Sequence, residues 1–204
     1  MASRGPPPPP ANLDRIDLPV VSVNPAELVR LFPLGANPIH FRVPKKSERA
    51  YRFDAPNAEY GVMYCAFSLE VCFAETLLRT RSYRVPADQP TLIDEAELRA
   101  RAIVRLGGRR LTLADLTGSA LARVHCDGSI STVPRYTIPR QWALAVWQHP
   151  KRVDGLRYVS RFINSQMAVA LFDRCADRLQ AAETSPLVDH PDLPRVLDLF
   201  NVGI

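Results

Sequence analysis

The chain has 204 residues, 47% of them hydrophobic, and 26 lysines and arginines against 21 acids give a formal net charge of +5. That suits one soluble domain with an ordinary core, and no apolar run approaches the roughly 20 residues that cross a bilayer. Residues 1–18 lack the apolar stretch of a secretory signal, so a cytoplasmic protein is expected.

MASRGPPPPPA opens the chain with five consecutive prolines, which join neither a helix nor a sheet ladder. An exposed polyproline arm is expected there: residues 1–15 form a flexible, disordered segment and residues 16–204 the folded domain. Asn24 and Pro25 predict a short helix to about Phe32, by the N-cap and first-turn preferences, with Pro33 ending it. Residues 39–43 read as a strand carrying Arg42. A lysine-rich loop over residues 45–49 leads to YRFDAP, which carries Arg52.

YGVMYCAFSLEVCFAETLLR, residues 60–79, changes period in its middle. Val62, Tyr64 and Ala66 alternate with Met63, Cys65 and Phe67, as in a half-buried strand. Ser68 is a good N-cap and Glu70 favours a first turn, so a helix starts there. On that helix Val71 and Leu78 flank Glu75 at i−4 and i+3, which turns the carboxylate inward or into a cleft. An acid so placed must be paired, hydrogen-bonded or neutralised. Two readings stand: a structural ion pair with Arg42, Arg52 or Arg79, or a catalytic carboxylate in a cationic pocket.

Further strands are expected at residues 83–85, 102–106 and 111–113, with an acidic helical stretch at 94–99. Residues 115–124 read as a short helix, and 125–139 are rich in turn residues. IPRQWALAVWQ, residues 138–148, predicts a helix whose Trp142, Ala145 and Val146 form a core stripe. Asp154 and Gly155 mark a turn before a strand ending at Ser160. MAVALF, residues 167–172, reads as a central strand, and RVLDLFNVGI as a last helix or strand. Elements mix without regular alternation, so the fold class is α/β, of an α+β mixed-sheet kind rather than a doubly wound parallel sheet.

The cysteines, Cys65, Cys72, Cys126 and Cys175, have no metal-ligand spacing and read as small buried hydrophobes. His125 and Cys126, adjacent in an extended segment, point oppositely and read as structural. Arginine dominates the positive charge, and its planar fork suits phosphate, whether on a small molecule or on nucleic acid. The arginines at 99, 101, 105, 109 and 110 read as a solvated face, so direct nucleic-acid binding is not expected.

Arg42 in HFRV, Arg52 in YRFDAP, Tyr64 and Glu75 in their strand and helix, DLTG at 115–118 and DGLRYVSR at 154–161 occur in one order. In this the chain resembles the RES domain family, over roughly residues 37–204, with the proline arm outside the pattern. Many members carry G-R-W where this chain has Tyr51, Arg52 and Phe53. The resemblance implies a single ADP-ribosyltransferase-like domain that consumes NAD without a metal, often as the toxin partner of a helix-turn-helix antitoxin in a homo- or hetero-oligomer. It implies catalytic roles for Glu75, Arg52, Tyr64 and Ser160, and NAD contacts from Arg42, Arg52, Tyr64 and Ser160.

The residue types suit that chemistry. Breaking the ribose–nicotinamide bond passes through an oxocarbenium-like centre that a carboxylate stabilises, and arginine forks match a pyrophosphate. Tyr64 offers nicotinamide a flat face and a polar tip, and Ser160 is expected to donate a hydrogen bond to the ribose. NAD phosphorolysis or hydrolysis is the leading expectation. A protein ADP-ribosyltransferase using the same pocket and a non-enzymatic nucleic-acid- or partner-binding module are the alternatives.

Overall fold

The computed structural model describes residues 5–44, 48, 50–79, 81, 85–86 and 88–204. Eight strands form one sheet, and chain order differs widely from spatial order. They are β1 (Val20–Val23), β2 (Val29–Pro33), β3 (Val62–Ala66), β5 (Arg101–Gly108), β6 (Leu111–Leu116), β7 (Gly155–Val159), β8 (Met167–Phe172) and β9 (Leu179–Pro186). The spatial order is β1-β6-β7-β8-β3-β2-β5-β9, antiparallel throughout except between β6 and β7. A parallel pair needs a crossover, which α3 (Gly118–Arg123), α4 (Ser129–Thr132) and α5 (Thr137–Gln148) supply. A small parallel ribbon joins β4 (Thr91–Leu92) to the closing β10 (Val202–Gly203), with α2 (Glu95–Arg99) and α6 (Leu193–Leu199) beside it in sequence.

The alternation over residues 62–67 sorts into two cores. Val62 and Ala66 belong to the larger one, beneath α1 (Leu69–Phe73), while Met63 and Cys65 belong to the other. The second core is built largely of strand residues from distant parts of the sheet, such as Leu111 and Leu113 on β6 and Val104 and Leu106 on β5. The sheet must therefore curl round it. Ser68 caps α1 by accepting a hydrogen bond from the Val71 amide, at 3.3 Å.

Several expectations change. Residues 25–27 make one 3-10 turn, capped by Asn24, and residues 29–33 are strand β2 instead of helix. The local cap is real, but five residues pair with β5, and tertiary pairing overrides the helical reading. Asp115 lies within β6, so that helix starts only at Gly118, where φ is +48°. Residues 39–43 contribute one isolated bridge, Arg42 to Val62, and residues 83 and 84 of an expected strand lie outside the described residues, as does most of the lysine-rich loop. His125 and Cys126 sit in a turn after α3, not in a strand, with His125 at φ +58° and exposed.

The proline run does not stand clear of the body from residue 5 onward. Pro6 is buried, and the Trp142 indole donates to the Pro7 carbonyl at 2.8 Å. A polyproline segment leaves its carbonyls unpaired, so a buried tryptophan N–H on α5 can take one as its partner. Trp142 and Val146 are fully buried, as the stripe on that helix requires.

Gly155 starts β7 beside β8, paired with Leu171. A Cβ there would lie 2.3 Å from the Ala170 carbonyl oxygen. Gly155→Ala should therefore destabilise the fold by about 1–3 kcal/mol or more, read as a lower midpoint in chemical denaturation.

Candidate active site

Strands β2 and β3 are neighbours, yet they pair only at Val29 and Ala66. The start of β3 pairs instead with Arg42, through two backbone hydrogen bonds of 2.9 Å with Val62. Between those ties the ladder opens, and a cleft of about 510 Å³ runs along the gap, a volume typical of small-molecule sites. Leu31 and Tyr64 lie on its two sides. Arg30, Arg42, Arg52, Arg79, Arg101 and Arg161 line it, and Glu75 is the acid among them.

Glu75 is delivered by a distortion. The α-helix ends at Phe73 and a π-helical turn follows over Ala74–Leu78. One wide turn keeps Val71 and Leu78 buried while setting Glu75 at the cleft wall, half-buried. Such turns recur at functional sites, and the sequence pattern gave no sign of this one. Among the described residues no ion pair reaches Glu75. Its Oε1 accepts instead from Ser160 Oγ at 2.8 Å and from the Arg161 amide at 3.0 Å.

Ser160 is 1% exposed and sits at the end of β7. Its single proton goes to Glu75, and its oxygen accepts from the amides of Phe162 (3.2 Å) and Ile163 (3.3 Å). The hydroxyl expected to face a ribose is thus turned onto the carboxylate. DLTG and DGLRYVSR are tied to each other: Arg157 pairs with Asp115 at 2.7 Å, and Thr117 donates to Asp115 at 2.6 Å.

Arg52 is 8% exposed. Its Nη1 donates to the carbonyls of Ile130 (3.2 Å) and Val133 (2.8 Å), and its Cζ lies 4.8 Å from the centre of the Tyr136 ring. Burial lowers its pKa from the ordinary arginine value, against the opposing pull of Tyr136, Tyr158 and Glu75. Carbonyls orient a guanidinium without neutralising it, so the charge persists at the cleft.

Arg42 and Tyr64 are organised by Asp54, which belongs to none of the motif's named positions. Asp54 is 0% exposed. It accepts from Arg42 Nη1 at 2.8 Å, the Tyr51 amide at 2.7 Å and the Tyr64 hydroxyl at 3.0 Å. The Tyr64 hydroxyl accepts in turn from the Phe53 amide at 2.9 Å. Its polar tip is therefore spent within the protein, and the ring is what it offers to the cleft. The guanidinium carbons of Arg42 and Arg79 lie 4.6 and 4.4 Å from the Tyr51 ring centre, while Phe53 is fully buried against Tyr158. The two aromatic neighbours of Arg52 thus divide between cleft and core.

Cys65 and Cys72 also line the cleft, yet neither suits a nucleophile. Burial pushes the Cys72 thiol up to about 12, and that of Cys65 well above its ordinary value. Both stay as thiols near neutrality. Iodoacetamide at about pH 8 should leave the native protein unmodified, by intact mass, and label it once unfolded. Among the described residues no group of three or more His, Cys, Asp or Glu side chains could hold a metal ion, and no helix is long and apolar enough to cross a membrane.

A model of the RES domain matches residues 5–196, so the family pattern takes in the proline run and starts well before residue 37. Probable toxin y4kH of Sinorhizobium fredii is 33% identical over 95 residues, 46% of this chain and 74% of that protein. A chain in the crystal structure of the M. tuberculosis MbcT–MbcA toxin–antitoxin complex shares the fold, with a TM-score of 0.62 over 94% of this chain and 98% of its own, at 14% identity. The mixed α/β architecture built from the strands above is thus one already seen in a solved protein.

Proposed function

Since the chain belongs to the RES domain family, we propose that it is an NAD-consuming enzyme that breaks the bond between nicotinamide and ribose, acting in the cytoplasm as the toxin of a toxin–antitoxin pair. The observation that carries this reading is Glu75, a carboxylate fixed by Ser160 and Arg161 in an arginine-lined cleft, with no ion pair to it among the described residues. Probable toxin y4kH and the toxin–antitoxin complex support the pairing with an antitoxin.

In this chemistry the C1′–N bond breaks with its electron pair passing to the pyridinium nitrogen, so nicotinamide leaves neutral and needs no general acid. Positive charge then develops on the ribose at C1′ and its ring oxygen. Glu75 stabilises that charge electrostatically, and Ser160 and the Arg161 amide hold the carboxylate in place. Arg42 and Arg52 bind the pyrophosphate and orient the scissile bond, while the Tyr64 ring packs on nicotinamide. Ser160 is a positioning residue here, acting through Glu75.

Of the possible acceptors, phosphate, water or a protein side chain, we take phosphate, a choice supported by unmatched arginine donors. The Nε atoms of Arg79 and Arg101, both cleft residues, are buried without a hydrogen-bond partner among the described residues. Such donors are rare unless a ligand or water meets them. An oxygen of the phosphate dianion forms the new bond to C1′, giving ADP-ribose 1-phosphate with no proton transfer required. With water as acceptor, ADP-ribose forms and one proton is released.

Incubation of the purified protein with NAD, with and without phosphate, tests the reading by mass spectrometry. Free nicotinamide with ADP-ribose 1-phosphate is the expected result. Folded protein that yields no nicotinamide under either condition overturns it, and label from NAD on a protein target redirects it to protein ADP-ribosylation.

A further inference from the structure

Tyr158 stands in the cleft wall with no task in the chemistry above. It lies on β7 two residues before Ser160, and therefore on the same face of the strand. It is 5% exposed, with its ring edge-on to Phe53 at 4.7 Å between centres. It lines the same cleft as Glu75 and Arg52 and is close enough to both to feel their charges.

Among the described residues none hydrogen-bonds the Tyr158 hydroxyl. The contrast with Tyr64 is direct, because that hydroxyl both donates to Asp54 and accepts from Phe53. The residue as a whole is buried, but its hydroxyl is not among the fully enclosed unpartnered atoms, and in the lining of the cleft it is placed to meet a ligand. Burial raises the phenol well above its ordinary range, so it stays protonated and can donate.

We propose that Tyr158 is a further catalytic residue, whose hydroxyl donates a hydrogen bond to a hydroxyl of the ribose that loses nicotinamide. The inference rests on the NAD-cleaving reading and extends it to the sugar. A ribose hydroxyl can donate to the Glu75 carboxylate while accepting from a neutral phenol. The neutrality matters: a cationic donor beside C1′ would oppose the charge that forms there, whereas a phenol fixes the sugar without that cost. Arg52, held back by two carbonyls and the Tyr136 ring, is then left to the phosphates.

Tyr158→Phe removes the hydroxyl and keeps the ring against Phe53. With NAD as substrate, kcat/KM should fall about 10-fold, mainly through kcat, while the melting temperature holds, because the ring keeps its packing and no hydrogen bond within the protein is lost. A structural role would instead lower the melting temperature along with activity. Unchanged kcat/KM in Tyr158→Phe, with an active wild type, overturns this assignment alone. A wild type that releases no nicotinamide overturns the NAD reading and this assignment together. Should Tyr158→Phe fail to fold, Tyr158→Met serves the same comparison, and failure of both marks the hydroxyl as structural and also overturns the proposal.

Discussion

Glu75→Gln should lower the rate of nicotinamide release from NAD by about 10²–10³-fold or more while leaving the protein folded. The variant isolates charge from shape. Both hydrogen bonds to Glu75 come from donors, Ser160 Oγ and the Arg161 amide, and a glutamine oxygen accepts both. In the proposed reaction, what disappears is the negative charge facing C1′ as it becomes electron-poor, an interaction far stronger in the transition state than in the bound substrate. The loss should therefore appear in kcat, with NAD binding by calorimetry changed little. Chromatographic assay of nicotinamide, beside a thermal melt, decides the matter. A variant that keeps activity within about 3-fold would show that the arginines alone drive cleavage.

How far the site could be read from the sequence depended on the range of each contact. Glu75 was legible because it breaks an apolar helical face between Val71 and Leu78, and Ser68 marked where that helix begins. The turn that aims Glu75 was not, since a π-turn changes the geometry of one helical turn without a composition of its own. β2 was hidden by Asn24 and Pro25, whose cap is genuine but stops after three residues. β9 was hidden for the opposite reason. It is an edge strand whose residues 180–184 are exposed, so QAAET shows no alternation, and only pairing with β5 makes it a strand. Tyr158 left a usable sign, two residues before Ser160 on one strand face, but buried tyrosines are ordinary core residues until their hydroxyl partners are known. Asp54 left less. In YRFDAP it resembles a turn residue beside Pro56, and its work depends on Arg42 and Tyr64, 12 and 10 residues away.

Asp54→Ala, behind the cleft wall, should therefore cost about 3–5 kcal/mol of stability, or on the order of 10 °C in melting temperature for a chain of this size. The side chain is wholly enclosed and satisfies three donors, so its removal leaves Arg42 without its buried partner and strands the Tyr51 amide and the Tyr64 hydroxyl. Arg42 is partly in contact with water and also pairs with Glu48 at 3.0 Å, which holds the cost toward the lower figure. Asp54→Asn separates the contributions, because an amide oxygen can still serve Tyr51 or Tyr64 but brings no charge to Arg42. The asparagine variant should melt only a few degrees below wild type, yet bind NAD more weakly, since the arginine proposed to meet the pyrophosphate is no longer held. Denaturant titration of both variants, with NAD titrated calorimetrically into the asparagine variant, gives the answer. Wild-type melting in Asp54→Ala would mean that water replaces the carboxylate freely, and that the cleft wall is shaped by Tyr51 and its two arginines instead.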